Sequence, residues 1–186
     1  MTKKLRLLSD TLIGKGWGEL RDYTVAYRTS EGQDVEIRRE CYHRGHAAAV
    51  LPYHLEKKTV VLVRQMRIGA FLSGDDAFLL EAAAGGLDGQ EPAACAKREA
   101  LEETGCRVFN LEKIADVYAM PAAVTEKVHL FLGEYDNEPR KTAGLAEEHE
   151  FIEVVELPLR DALDMIKTGQ IIDMKTIILL QSLALK

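Results

Sequence analysis

The segment Thr59-Val60-Val61-Leu62-Val63-Arg64 is apolar at odd and even positions alike. A strand sends alternate side chains to opposite faces, so this one must be covered on both, as at the centre of a sheet with layers above and below. Ala47 to Tyr53 has the same buried character. Upstream, Leu20 to Arg28 puts Arg21, Tyr23, Val25 and Tyr27 on one face at period two. Ser30-Glu31-Gly32-Gln33 turns the chain, and Asp34 to Tyr42 returns with Val35, Ile37, Arg39 and Cys41 alternating. Further strands are predicted near Arg107 to Tyr118, Thr125 to Tyr135 and Phe151 to Glu156, and Asp136 to His149 reads as a long polar loop.

Helices are predicted at Pro92 to Thr104, at Pro158 to Thr168 and from Asp173 to Leu185. Pro92 suits a first helical position, Gly105 and Gly169 suit the left-handed residue after a helix, and Asp173 suits a cap. Strands covered by two or three helices in irregular order imply a mixed α/β sandwich rather than a βαβ repeat. With 186 residues and neither an internal repeat nor a flexible linker, one compact domain is expected.

Charge limits the partners. At a net charge of −6, and with no Lys/Arg run longer than two, the chain lacks the footprint of a nucleic-acid binder. Its longest apolar runs, such as Thr176 to Leu180, are far short of the roughly 20 residues that span a bilayer. Met1-Thr2-Lys3-Lys4-Leu5-Arg6 leads into no apolar signal region, so a cytoplasmic location is expected. Three cysteines, Cys41, Cys95 and Cys106, without CxxC spacing argue against a disulfide framework or a zinc site. For an anionic substrate, an acidic chain needs something local that reverses the sign, and a bound divalent cation would do so.

A carboxylate cluster supplies the place. The loop Gly85-Gly86-Leu87-Asp88-Gly89-Gln90-Glu91 feeds a helix ending Arg98-Glu99-Ala100-Leu101-Glu102-Glu103-Thr104-Gly105. Glu99 and Glu103 are four residues apart and share a helical face, with Glu102 beside them. Like charges at this spacing repel, and they sit at the negative end of the helix dipole. A helix that breaks local rules in this way marks a functional site, and clustered hard oxygens suit Mg²⁺ or Mn²⁺. The structural alternative is a solvated acidic helix with Arg98 pairing Glu102.

This stretch resembles the Nudix box, G-x5-E-x7-R-E-U-x-E-E-x-G-U, where U is a bulky apolar residue. Arg98 to Gly105 matches the second half, with Ala100 and Cys106 at apolar places. Gly85 and Glu91 are correctly spaced, but only six residues separate Glu91 from Arg98; a strict count would use Ala84 and Gln90. Val60-Val61-Leu62-Val63-Arg64-Gln65-Met66-Arg67, Glu81-Ala82-Ala83-Ala84-Gly85 and Pro121 resemble the ADP-ribose and nucleotide-sugar pyrophosphatase branch of the family. Val124-Thr125-Glu126, Ile152 to Pro158 and Ala162 to Gly169 are similar to bacterial members that act on GDP-mannose. The likeness covers nearly the whole chain.

The resemblance implies a Nudix α/β/α sandwich with a mixed sheet, formed by residues 46–186. It also implies an N-terminal antiparallel β segment, residues 1–45, exchanged in a homodimer. It implies Mg²⁺, or Mn²⁺, held by the Ala84 carbonyl, Glu99, Glu103 and Glu150. Glu150 would orient the attacking water, with Glu102 and Glu103 as the other catalytic acids; Glu102 could instead support the metal shell. Arg67 is the expected phosphate clamp, followed by Arg38 and Arg39, because a guanidinium matches phosphate bidentately. Arg64 could instead anchor the sheet or pair with Glu99. Glu40, Gly85, Glu126, His149 and Lys175 complete the substrate-binding set, although Lys175 could be a solvated lysine at a helix start. Trp17, between Gly16 and Gly18, would stack on the base in the partner's site or else only pack the interface. The expected reaction is GDP-mannose plus water to GMP and mannose 1-phosphate. The alternatives are cleavage of ADP-ribose to AMP and ribose 5-phosphate, and a non-catalytic nucleotide-sugar sensor.

Overall fold

The computed structural model describes residues 5–140, 142–143 and 152–186. Its contacts divide the chain into two compact units. One holds the residues up to His46 together with Tyr118–Lys127, and the other holds Ala47–Val117 with Val128–Lys186.

The first unit is a three-stranded antiparallel sheet of β1 (Arg6–Lys15), β2 (Glu19–Arg28) and β3 (Asp34–His43), in that order. β2 and β3 fall where the alternation placed them. β1 escapes a period-two reading because its register with β2 shifts between Leu7 and Ser9 and again between Leu12 and Gly14. Each irregularity moves the following side chains off the alternation. Segment 118–127 joins this unit through Tyr42, whose N–H donates to the Ala123 carbonyl and whose carbonyl accepts from Thr125.

The second unit is a mixed eight-stranded sheet. Its strands are β4 (Ala47–His54), β5 (Thr59–Met66), β6 (Phe78–Glu81), β7 (Ala83–Gly86), β8 (Phe109–Tyr118), β9 (Lys127–Glu134), β10 (Thr142–Ala143) and β11 (Ile152–Pro158). The order is β10-β11-β5-β4-β9-β8, with β6 on β5 and β7 on β4. β4 runs parallel to β9 and antiparallel to β5 and β7. As their composition required, Ala47 to Tyr53 and Val60 to Val63 are buried on both faces.

Helix α1 (Ile68–Ser73) is one short piece ended by Gly74 in the left-handed region. α2 (Pro92–Glu99) packs through Cys95 and Ala96 on Ala48, Val50, Ala83 and Phe131. α3 (Leu159–Lys167) lies on β5 and β11, and α4 (Met174–Ala184) on β4. Asp173 caps α4 by accepting the Thr176 N–H at 3.0 Å. α1, β6 and β7 were not predicted, because elements of four to six residues carry too few positions to show a period.

The predicted helix over 92–104 is two pieces. After Glu99 the chain forms a π-helical turn, Ala100–Thr104, and Gly105 at φ 75° ends it. The Thr104 hydroxyl donates to the Ala100 carbonyl, the type of back-bond that disturbs a helical ladder, and accepts the Cys106 N–H at 3.1 Å. Single π turns are enriched at functional sites.

Candidate active site

Strand β7, helix α2 and the π turn that follows it build the site. β7 runs beside β4, with Ala84 opposite Ala49 and Gly85 opposite Ala48. Against it lie Glu99, 7% exposed, and Glu103, 8% exposed. Glu103 Oε2 accepts the Ala84 N–H at 3.0 Å, which fixes a carboxylate beside the residue expected to offer its carbonyl. Glu99 takes the space that a side chain at position 85 would occupy: a Cβ there would lie 1.8 Å from Oε1. Glycine at 85 is therefore a condition for placing that carboxylate.

Arg98 organises the outer side. Its guanidinium meets Glu99 Oε1 at 2.7 Å and Glu102 Oε2 at 2.7 Å, and donates to the carbonyl of Gly86 at 3.3 Å. Burial works against the charge, but Glu102 and Glu99 outweigh it, and the arginine pKa is raised. The Arg98–Glu102 pair and the buried Glu99–Glu103 cluster thus coexist. Glu102 itself is more than half exposed, whereas its two neighbours in the box are buried. Glu91 is an exposed residue at the start of α2 and makes no side-chain cap.

Arg67 and Lys175 converge on one buried carboxylate, Glu81. Arg67 Nε lies 3.0 and 3.1 Å from its two oxygens and Nη2 lies 2.7 Å from Oε2. Lys175 Nζ is 2.9 Å from Glu81 Oε2 and 2.9 Å from Asp173 Oδ1. Burial tends to raise the Glu81 pKa, yet Arg67 and Lys175 together hold it below the usual glutamate range. Burial also opposes the Arg67 charge, and Glu81, helped by Glu103, more than restores it. Lys175 is thus no solvated helix-start lysine; its side chain is mostly buried in this pairing. Arg64 pairs with Glu153 at 3.2 Å across β5 and β11.

In the first unit, Trp17 is 79% exposed. The Arg44 guanidinium stacks on it with Cζ 4.1 Å from the ring centroid, and Arg44 Nε reaches Glu126 Oε1 at 3.5 Å. Arg44 thereby joins two residues singled out from the sequence, Trp17 and Glu126, and was itself missed. The signal was a third arginine just beyond the Arg38-Arg39 pair. Arg38 is occupied by Asp22, with Nε at 2.6 Å, and Arg39 donates to the Arg38 carbonyl at 2.7 Å. Glu40 is exposed and sits opposite Asp22 on β2. Glu150 and His149 lie outside the described residues.

The donor set fits a divalent cation. Among the described residues no three His, Cys, Asp or Glu side chains converge on a metal position. Glu99 and Glu103 are two buried carboxylates set against Ala84 and Gly85, and hard oxygens of this kind suit Mg²⁺ or Mn²⁺.

Comparison with known proteins gives a consistent likeness. Residues 43–178 match the model of the NUDIX domain. The chain is 43% identical over 187 residues to a GDP-mannose pyrophosphatase of Cronobacter sakazakii, covering 100% of this chain and 98% of that protein. It is 41% identical over 184 residues to the GDP-mannose pyrophosphatase of Escherichia coli K12, covering 98% and 96%. A crystal structure titled as an ADP compounds hydrolase superposes with a TM-score of 0.71 at 19% identity, over 95% of this chain and 90% of that one. At that identity the superposition speaks for the fold.

Proposed function

The chain belongs to the Nudix family, and from that premise we propose that it is a divalent-metal-dependent pyrophosphatase that hydrolyses GDP-mannose to GMP and mannose 1-phosphate. Nucleotide-sugar hydrolysis follows the full-length relatives, which are named for GDP-mannose. The observation that carries the chemistry is the burial of Glu99 and Glu103 against the Ala84–Gly85 strand end.

Glu99, Glu103 and the Ala84 carbonyl would hold the cation, with Glu150 as a further ligand. Bound there, a divalent ion neutralises diphosphate oxygens and acidifies a nearby water. Gly85 keeps the carboxylate seat open. Glu103 keeps Ala84 in place through its N–H, and Arg98 orients Glu99 and Glu102. Arg67 donates from one edge of its guanidinium to Glu81; among the described residues Nη1 has no hydrogen-bond partner and is the edge left for a phosphate oxygen. Glu150 takes the proton of the attacking water, with Glu102 as its support. Lys175, Arg38, Arg39, Glu40, Glu126 and His149 contribute further substrate contacts, and Trp17 stacks on the guanine.

The working form is a homodimer, with residues 1–45 reaching across to the partner. Support comes from β1, which is exposed along its whole length and presents Leu7, Leu12 and Ile13 to solvent. An exposed apolar strand of this length invites a covering partner. A competition assay with Mg²⁺, offering GDP-mannose and ADP-ribose together, tests the substrate assignment. GMP should appear ahead of AMP; AMP ahead of GMP would move the assignment to ADP-ribose.

A further inference from the structure

The last residues of β4 open on a cleft of about 880 Å³, within the roughly 300–1,000 Å³ typical of small-molecule sites. Its floor is apolar. Tyr53 is buried, Leu159, Leu163 and Leu183 are half-buried, and Leu55 lies more exposed beside them. β4 starts beside the carboxylate cluster, where Ala48 pairs with Gly85, and reaches His54 roughly 20 Å further on at ~3.3 Å per residue. A small ligand in the cleft therefore lies clear of Glu99 and Glu103.

Charge distinguishes this cleft from the rest of the chain. The protein carries −6 overall, yet the cleft is lined by Lys57, Lys58, Arg160, Lys167 and Lys186 against the single carboxylate of Asp164. Three of these cations are already matched. Lys57 Nζ is 3.1 Å from Glu138 Oε1, Lys167 Nζ is 2.7 Å from Asp164 Oδ1, and Lys186 pairs with Glu112. Among the described residues Lys58 and Arg160 make no ion pair.

Those two sit at one corner of the cleft. The Leu159 N–H donates to the Lys58 carbonyl at 3.0 Å, which fastens the turn between β4 and β5 to the start of α3. Lys58 has φ 54°, a left-handed conformation that suits glycine and strains a residue with a Cβ. A lysine standing where glycine would fit more easily breaks a local rule, and such positions gather at functional sites. An ammonium beside a guanidinium matches the two charges of a phosphate monoester, which arginine can grip with two parallel bonds. The leucine floor would take whatever apolar group the phosphate carries.

We propose that this cleft is a second binding site, for an organic phosphate monoester with an apolar body, in which Lys58 and Arg160 hold the phosphate and Leu159, Leu163 and Leu183 hold the body. It is separate from the carboxylate cluster, and a chain that cuts no nucleotide sugar would still bind there.

The test is a titration of the metal-free, ¹⁵N-labelled full chain with octyl phosphate, followed by NMR. The amides of Lys58, Leu159, Arg160 and Leu183 should shift and saturate. Octanol and inorganic phosphate each offer half of the ligand and should bind at least roughly tenfold more weakly, the size of one lost charged hydrogen bond. Lys58→Gly and Arg160→Gln should each raise the dissociation constant by a similar, roughly tenfold, factor. Lys58→Gly also relieves the left-handed strain, so it should melt no lower than wild type, and its weaker binding is then no sign of unfolding. Lys57→Gln is the control: Glu138 already takes that charge, so affinity should stay within roughly twofold of wild type. Octanol binding as tightly as octyl phosphate, shifts confined to other surfaces, or unchanged affinity in both Lys58→Gly and Arg160→Gln overturns the proposal. A loss in Lys57→Gln as large as that in Lys58→Gly also overturns it, since binding would then follow diffuse charge and not this corner.

Discussion

The Glu99 carboxylate occupies the volume that any side chain at Gly85 would need, with Oε1 1.8 Å from where a Cβ would sit. The obstructing atoms are the far end of a flexible side chain, so Gly85→Ala can be relieved by moving the carboxylate rather than the backbone. Function should therefore suffer more than stability. We expect a folded protein with activity reduced by roughly 100-fold, about 2.7 kcal/mol of barrier. Circular dichroism together with Mg²⁺-dependent turnover checks this, and a fully active Gly85→Ala would mean that Glu99 need not sit where it does.

Glu103→Gln keeps the side-chain volume and an acceptor for the Ala84 N–H, but removes an anionic ligand. Turnover should fall at least roughly 100-fold, about 2.7 kcal/mol of transition-state stabilisation. Without metal the variant should melt no lower than wild type, because relief of repulsion from Glu99 offsets any lost contact. Near-normal turnover with Mg²⁺ would reject the ligand assignment.

Trp17 is exposed yet held by Arg44, so its ring is presented in a fixed place. Base stacking on an aromatic ring is worth ~1–3 kcal/mol, so Trp17→Ala should raise KM roughly five- to 150-fold with a smaller effect on kcat. Sedimentation at micromolar concentration should show a dimer and not a 20.7 kDa species. In a verified heterodimer of Trp17→Ala and Glu103→Gln subunits, one site has both defects and one has neither. Activity at low substrate should then exceed that of either parent. No gain would place the action of Trp17 in its own subunit or only in the interface.

Acid stability should report the pairing of Glu81 with Arg67 and Lys175. Burial would raise the Glu81 pKa, but Arg67 and Lys175 hold it below the ordinary 4.5. The folded chain then binds this proton less readily than the unfolded chain. Its stabilising contribution is complete above about pH 4.5 and is lost as pH falls through the folded pKa. Urea midpoints followed from about pH 6 to about pH 3 should drop more steeply for wild type than for the Glu81→Gln/Arg67→Gln variant. Parallel curves would mean that Glu81 gains no net favour for its charged form on folding.

Much of this was legible in the sequence because the signals were local and strong. Val60 to Val63 required cover on both faces, Asp173 announced a cap, and the spacing of Glu99 and Glu103 announced carboxylates that share one face. What was not legible depends on tertiary neighbours. The back-bond of Thr104 turns the end of a predicted α-helix into a π turn. Irregular pairing hides β1, and the alliance of Arg67 with Lys175 exists only because β6 and the start of α4 meet at Glu81. Arg44 looked like one more basic residue until its stacking on Trp17 was seen.

The most direct measurement is the product balance of GDP-mannose incubated with the purified chain and Mg²⁺, followed by phosphorus NMR. GMP and mannose 1-phosphate should appear in equal amounts, the reaction should stop when a chelator is added, and the Glu99→Gln/Glu103→Gln variant should yield neither product. Intact GDP-mannose in the presence of a metal-loaded wild-type protein, or turnover that survives both the chelator and the double substitution, would contradict metal-dependent cleavage of the diphosphate at these two glutamates.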